Sequence, residues 1–286
     1  GYTTQVSDFQ QQLRAWKQSA ELVGRYLPIY EGFGNHEALM TAWSTGFAFD
    51  RAGDDSAEAV FSREFNNPQN GPADEGEGTP PYGESVYSFD YGNAHFVMLN
   101  SNYWWSNSDD TTAPRPAARQ NREGYIMDQQ LAWLEADLER ASAAGAAHIF
   151  VFTHEPVFPN GRHLANAMYW NGEIPAVLAR RDQLVRLLMR HNVRAVFTGD
   201  EHNYSRTLID STVEVSYEGQ LWSIISGGSG ASYYTVFDHH PWADQVATWS
   251  PQMNYVEVRV DGGEVTLNAI GETGDLLDVW SLTETP

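Results

Sequence analysis

Three short stretches of this chain bring together residue types that hold cations or move protons: Gly34-Asn35-His36-Glu37, the lone His154, and Gly199-Asp200-Glu201-His202. Amide oxygen, carboxylate and imidazole are donors for hard or borderline metal ions, and an imidazole that titrates near neutrality suits proton delivery. Each stretch follows an apolar run: Tyr26-Leu27-Pro28-Ile29-Tyr30 before the first, Ile149-Phe150-Val151-Phe152-Thr153 before His154, and Ala195-Val196-Phe197-Thr198 before the third. A strand that ends in such a turn aims the turn's side chains at one small volume. In open α/β sheets ligands collect outside the carboxyl ends of the strands, so the three stretches are expected to share one site.

Taken singly, the stretches have plainer readings. Gly and Asn favour ordinary turns, His154 could be a hydrogen-bonded core histidine, and Asp200 could cap a turn. Their order removes that ambiguity, because it resembles the calcineurin-like metallophosphoesterases, including the purple acid phosphatases. That family's motifs run D-x-H, G-D-x-x-D, G-N-H-[DE], a lone His, and G-H-x-H; the last three have counterparts here.

The resemblance implies an α/β fold, a four-layer αββα sandwich of two mixed sheets flanked by helices. It also implies hydrolysis of phosphate monoesters or diesters by a metal-bound hydroxide at a dinuclear site. Asn35, His154 and Asp200 would bind one metal and His202 the other, while His36 would hold the phosphate or protonate the leaving group, oriented by Glu37. The cofactors implied are two divalent or trivalent ions from among Fe, Mn, Zn, Mg and Ca. Asp200 stands where the family has histidine; a carboxylate adds charge and favours Mn²⁺, Mg²⁺ or Ca²⁺ over Zn²⁺.

The D-x-H and G-D-x-x-D motifs would precede Gly1, so residues 1–286 are expected to form the C-terminal part of one metallophosphoesterase domain. An N-terminal fragment or a second chain would then complete the site, and the isolated chain could be inactive. Asp238-His239-His240 and Gly274-Asp275-Leu276-Leu277-Asp278 spell the two motifs further on, as in a circular permutant. The second of these follows a turn rather than a buried strand and reads as a closing hairpin. A rival from another class is a non-catalytic structural or binding protein that retains a partial metal site.

Composition bounds these readings. The 286 residues, 42% hydrophobic and 13% aromatic, suffice for a large core in one domain. A formal charge of −21 repels nucleic acid and anionic membranes, and it repels phosphate esters too unless a cation intervenes. Lys17 is the sole lysine. So acidic and lysine-poor a surface suits an extracellular or periplasmic setting, although a GC-rich genome gives the same bias. With no cysteine, disulfides and thiolate metal sites are excluded.

The positioning elements follow from periodicity. Phe9, Leu13, Trp16, Ala20 and Val23 mark an amphipathic helix over 8–24 with Ser7 as its cap, and the apolar run at 26–30 reads as a strand. A helix at 57–65 precedes a Pro- and Gly-rich surface loop at 66–83; 85–91 and 94–99 flank Gly92-Asn93 as a hairpin. An irregular segment opens at Tyr103-Trp104-Trp105 and runs to Gly124. Helix 128–142 with Gly145 as its stop, strand 147–153, the long loop 155–175, helix 180–191 and strand 194–198 complete the strand-helix-strand part. Antiparallel strands are expected at 213–217, 221–226, 254–260 and 263–269. Asn203, Tyr204 and Arg206 are placed to support ligands or bind phosphate, with a surface acid as the other partner for Arg206. The aromatics at 103–105 and 169–170 read mainly as packing under long loops.

Overall fold

The computed structural model describes residues 5–42, 53–104, 121–235 and 239–282; Trp105, the irregular stretch up to residue 120 and Asp238 lie outside these. The centre is a seven-stranded mixed sheet in the order β1-β2-β3-β4-β6-β5-β7. Its members are β1 (Tyr87–Tyr91), β2 (Ala94–Met98), β3 (His148–Phe152), β4 (Ala195–Thr198), β5 (Tyr204–Ile209), β6 (Leu221–Ser226) and β7 (Val246–Ser250). β2, β3, β4 and β6 run parallel. Parallel neighbours need a crossover, which helices α4 (Asp128–Ala143) and α5 (Pro175–Arg190) provide.

β3 shows why its residues form a central strand. Successive side chains alternate between the two faces. Ile149 and Val151 join Leu134 and Leu138 of α4 and Leu184 and Leu188 of α5. Phe150 joins a core shared with Val265, Leu267, Ala269 and Trp280. Those last four belong to a second sheet of β8 (Asn254–Asp261), β9 (Glu264–Gly271) and β10 (Leu276–Leu282), ordered β10-β9-β8 and wholly antiparallel in the described residues. Each fully buried leucine of these cores contributes about 2 kcal/mol relative to an exposed one. Gly274, at φ +87°, sits in the β9–β10 turn, so the segment ending at Asp278 is the closing hairpin and no second metal motif.

Arg206 on β5 ties the sheets together. Its guanidinium meets Asp278 of β10 at 2.6 and 3.1 Å and lies over the rings of Trp222 and Trp280. Tyr204 donates to the same carboxylate. Both residues are therefore structural; Arg206 does pair with an acid, but with the largely buried Asp278 and not with one at the surface. Asn203 donates to Asn160 in the interior.

Helices α1 (Val6–Gly24), α2 (Asn35–Ala42) and α3 (Ala57–Glu64) share a smaller core containing Phe9, Leu13, Phe33, Val60 and Phe61. α1 starts one residue before Ser7, and Gln5, not Ser7, stands at its N-cap position. Only the first half of its apolar stripe is covered: Trp16 and Val23 are exposed.

The expected strand at 26–30 does not form. These residues are non-helical chain with no ladder partner among the described residues, and Tyr26 is 80% and Leu27 59% exposed. An apolar run becomes a strand only where a neighbour completes its backbone hydrogen bonds. Here side chains fix it instead: Tyr30 stacks on Phe89 at 4.0 Å, and Tyr87 Oη donates to Glu31 O at 2.9 Å. Residues 213–217 form turns rather than a strand, and β5 and β7 are strands the sequence did not single out. α5 begins five residues earlier than periodicity indicates, at Pro175, whose fixed φ and missing N–H suit a first turn.

Candidate active site

β3 and β4 are adjacent and parallel, so their ends deliver His154 and Asp200 to the same place. The amide of Gly199 donates to the His154 carbonyl at 2.9 Å and locks the two turns together. Asn35, the first residue of α2, meets both side chains there. Gly34 makes this approach possible: a Cβ on it would stand 2.9 Å from His154 Nδ1.

The three side chains close into a triangle. Asn35 Nδ2 donates to Asp200 Oδ1 at 2.9 Å, His154 Nε2 lies 3.1 Å from Asn35 Oδ1, and His154 Nε2 lies 3.4 Å from Asp200 Oδ1. Asp200 holds φ at +60°, the left-handed region that carboxylate and amide residues tolerate better than most.

Around this triangle stands a shell of buried acids. Asp200 Oδ2 pairs with His163 Nδ1 at 2.7 Å; Asn166 lies 3.0 Å from the same nitrogen and donates to Glu123 Oε2 at 2.7 Å. Glu201 accepts the amides of Gly161 and His163 at 3.0 and 2.7 Å, fixing the loop that carries His163. Glu155, with no exposed surface, takes Asn102 Nδ2 on Oε1 at 2.7 Å, while its Oε2 meets no hydrogen-bond partner among the described residues.

Four carboxylates thus surround two imidazoles, and their titration reflects it. Burial alone would raise Asp200, but the hydrogen bonds and charges of His154 and His163 outweigh it and hold this acid far below the usual range. Burial pushes Glu155 well up, reinforced by the charges of Asp200 and Glu123. Glu123, buried and facing Asp200, is raised to about 7, and burial likewise raises Glu201.

His36, Glu37 and His202 lie outside the triangle. Glu37 Oε2 accepts the Gly34 amide at 3.0 Å, which steadies the turn into α2. His36 is on the exposed side of that turn, with its pKa lowered chiefly by partial desolvation. His202 Nδ1 donates to Ser232 O at 2.6 Å, and its ring stacks on Tyr234 at 4.3 Å. The guanidinium of Arg162 lies 5.3 Å from the same tyrosine ring.

Sequence reading passed over Glu123, Glu155, His163, Asn166 and Glu201. The length of loop 155–175 marked the segment as functional without pointing to His163 or Asn166 within it, and Glu155 follows His154 directly; nothing local marked Glu123. A cavity of about 350 Å³ opens beside the triangle, with Gly32, Met98 and Phe152 on one side and Val256 and Val258 of β8 on another; His154 and Gly199 form its link to the site.

The donor set fits a metal. One ligand atom each from His154, Glu155 and Asp200 lie within 4.8 Å of one another, and a dry, unpartnered carboxylate oxygen among them is a group that a cation would satisfy.

The sequence matches the model of the calcineurin-like phosphoesterase family over residues 6–204, more than half its length, and the chain belongs to that family. Its structure is similar to that of the purple acid phosphatase PPD1 from yellow lupin (Lupinus luteus), with a TM-score of 0.63 and 18% identity, over 95% of this chain and 43% of that one. It is similar also to PhoD, with a TM-score of 0.53 and 14% identity, over 88% of this chain and 54% of that one. Likeness at such identities is likeness of fold, and the chain spans about half the length of these structures or less. No curated protein matches the sequence significantly.

Proposed function

We propose that this chain carries the catalytic part of a metal-dependent phosphoesterase. The observation that supports it best is the triangle of Asn35, His154 and Asp200 at the carboxyl ends of adjacent parallel strands. In this reading Asn35, His154 and Asp200 would hold one cation and His202 would contribute to a second. Such cations would supply charge neutralisation at the phosphoryl group and ease deprotonation of the attacking water. His36 contacts the phosphate or delivers a proton to the departing oxygen, and Glu37 fixes the turn that presents it. His163, held by Asp200 and Glu201, places a further imidazole beside the reacting position.

Residues from outside this chain complete the second metal position. The apolar cavity between residue 32 and β8, together with the outer edge of β8, which pairs with no second strand among the described residues, offers room for the extended segment that would carry them. Phosphate esters are the expected substrates, one or both of the monoester and diester classes. The acidic, lysine-poor composition favours an extracellular or periplasmic location, and no described helix is long and apolar enough to cross a membrane.

The test is turnover of p-nitrophenyl phosphate and bis-p-nitrophenyl phosphate with Mn²⁺, by this chain alone and with any upstream polypeptide that mass spectrometry finds in the native material. Replacing His36 by alanine should cost about 10²–10⁴-fold in kcat with cation binding retained. Turnover indifferent to that change would remove His36 from the reaction, and no turnover in either preparation would end the catalytic reading. A second reading, a non-catalytic protein that keeps a partial metal site, is favoured by the attachment of His202 to Ser232 and Tyr234 rather than to the triangle. It predicts cation binding with no turnover in either preparation.

A further inference from the structure

Glu155 lies immediately beyond His154 with its carboxylate fully buried. Asn102 holds one oxygen at 2.7 Å, Ser101 Oγ accepts the Glu155 amide at 2.9 Å, and the other oxygen meets no hydrogen-bond donor among the described residues, while the carboxyl as a whole lies against the Asp200 carboxylate. This geometry aims a fixed, half-satisfied carboxylate at the position where His154 and Asp200 also converge, all within 4.8 Å. No arginine or lysine pairs with either acid among the described residues; Asp200 has His154 and His163, and Glu155 has no ion pair there. Two dry carboxylates this close stay together only with a proton or a cation between them.

We propose that Glu155 is a metal ligand, and that with His154, Asp200 and the Asn35 amide oxygen it forms a complete site for one hard divalent cation within this chain. The inference rests on the metal-dependent reading above and sharpens it: the first metal position needs nothing from outside residues 1–286. Three oxygen donors to one nitrogen shift the preference toward Mn²⁺, Mg²⁺ or Ca²⁺ compared with a histidine-rich site. Asn102 acts as the outer partner that orients the ligand.

Mn²⁺ binding to the whole chain, followed by electron paramagnetic resonance of the free ion and by the Mn²⁺-dependent rise in Tm, tests this without any activity assay. The wild type should bind one tightly held Mn²⁺. Glu155→Gln, which can keep the Asn102 bond, should retain the far-ultraviolet circular dichroism of the wild type and bind Mn²⁺ at least tenfold more weakly. Glu155→Asp, which keeps the charge but withdraws it, should also weaken binding. As a control, Glu58→Gln removes another fully buried carboxylate with an unpartnered oxygen, on α3 beside Trp104, and should bind like the wild type. If both Glu155 variants bind within twofold of wild type while Asp200→Asn is weakened, Glu155 is no ligand and the metal-dependent reading survives. If the wild type binds no Mn²⁺, both fall.

Discussion

Gly34 decides how close Asn35 comes to His154, since its missing side chain is the space the imidazole occupies. A methyl group there would overlap the ring at 2.9–3.0 Å and push it away from Asn35 and Asp200. Gly34→Ala should therefore lower Mn²⁺ affinity at least tenfold in an isothermal titration, at a cost in metal-free stability of about 1–3 kcal/mol, the usual range for overpacking. Asn35, His154 and Asp200 were legible in the sequence because the order of their motifs resembles that of a known family, and the structure joins all three. Glu155, His163 and Glu123 were not. Their part in the site comes from burial and from partners far away in the chain, Asn102 for Glu155 and Asp200 for His163, and neither burial nor such distant pairing has a local signature.

At the level of elements, a buried histidine pins the β1–β2 hairpin to α4. His95 Nδ1 lies 2.7 Å from Asp90 and Nε2 2.8 Å from Asp137, and both nitrogens can donate only when the ring is charged. Burial opposes that charge, but hydrogen bonds to Asp137 and Asp90 prevail and raise the His95 pKa. For Asp137, burial is likewise outweighed, by His95, Arg140 and Ser88, and its pKa falls. The His95 contribution is complete below its unfolded value of about 6.5 and is lost as pH rises through the raised folded value; that of Asp137 is complete above about 3.9 and is lost as pH falls through the lowered one. Both operate between roughly pH 4 and 6.5. Tm should peak in that window, and His95→Gln should flatten the alkaline side of the curve. Arg206 holds the second element contact, between β5 and β10. Arg206→Ala leaves Asp278 without its charged partner and uncovers two tryptophan faces, and should cost about 3–5 kcal/mol in urea unfolding.

For the whole molecule, 38 acidic residues against 17 basic ones create a field that opposes both compactness and anionic ligands. Raising NaCl from about 10 mM to 150 mM shortens the Debye length from ~30 Å to ~8 Å. Tm should therefore rise, and the KM for a phosphate ester should fall over the same range; a KM that climbs with salt would show that local cations already dominate the approach. The sequence by itself determined the charge, the family, the parallel strand-helix-strand centre and the three residues of the triangle. The charge and the centre follow from composition and short-range periodicity, and the family and the triangle from a motif order that resembles a known family; the chain carries all of these residue by residue. Tertiary structure alone decided that the run at 26–30 stays unpaired, that Arg206 serves packing, that His202 turns to Ser232, and that buried acids ring His154. A strand needs a neighbour and a dry carboxylate needs a partner, and both are supplied by contacts across the fold that no local pattern encodes.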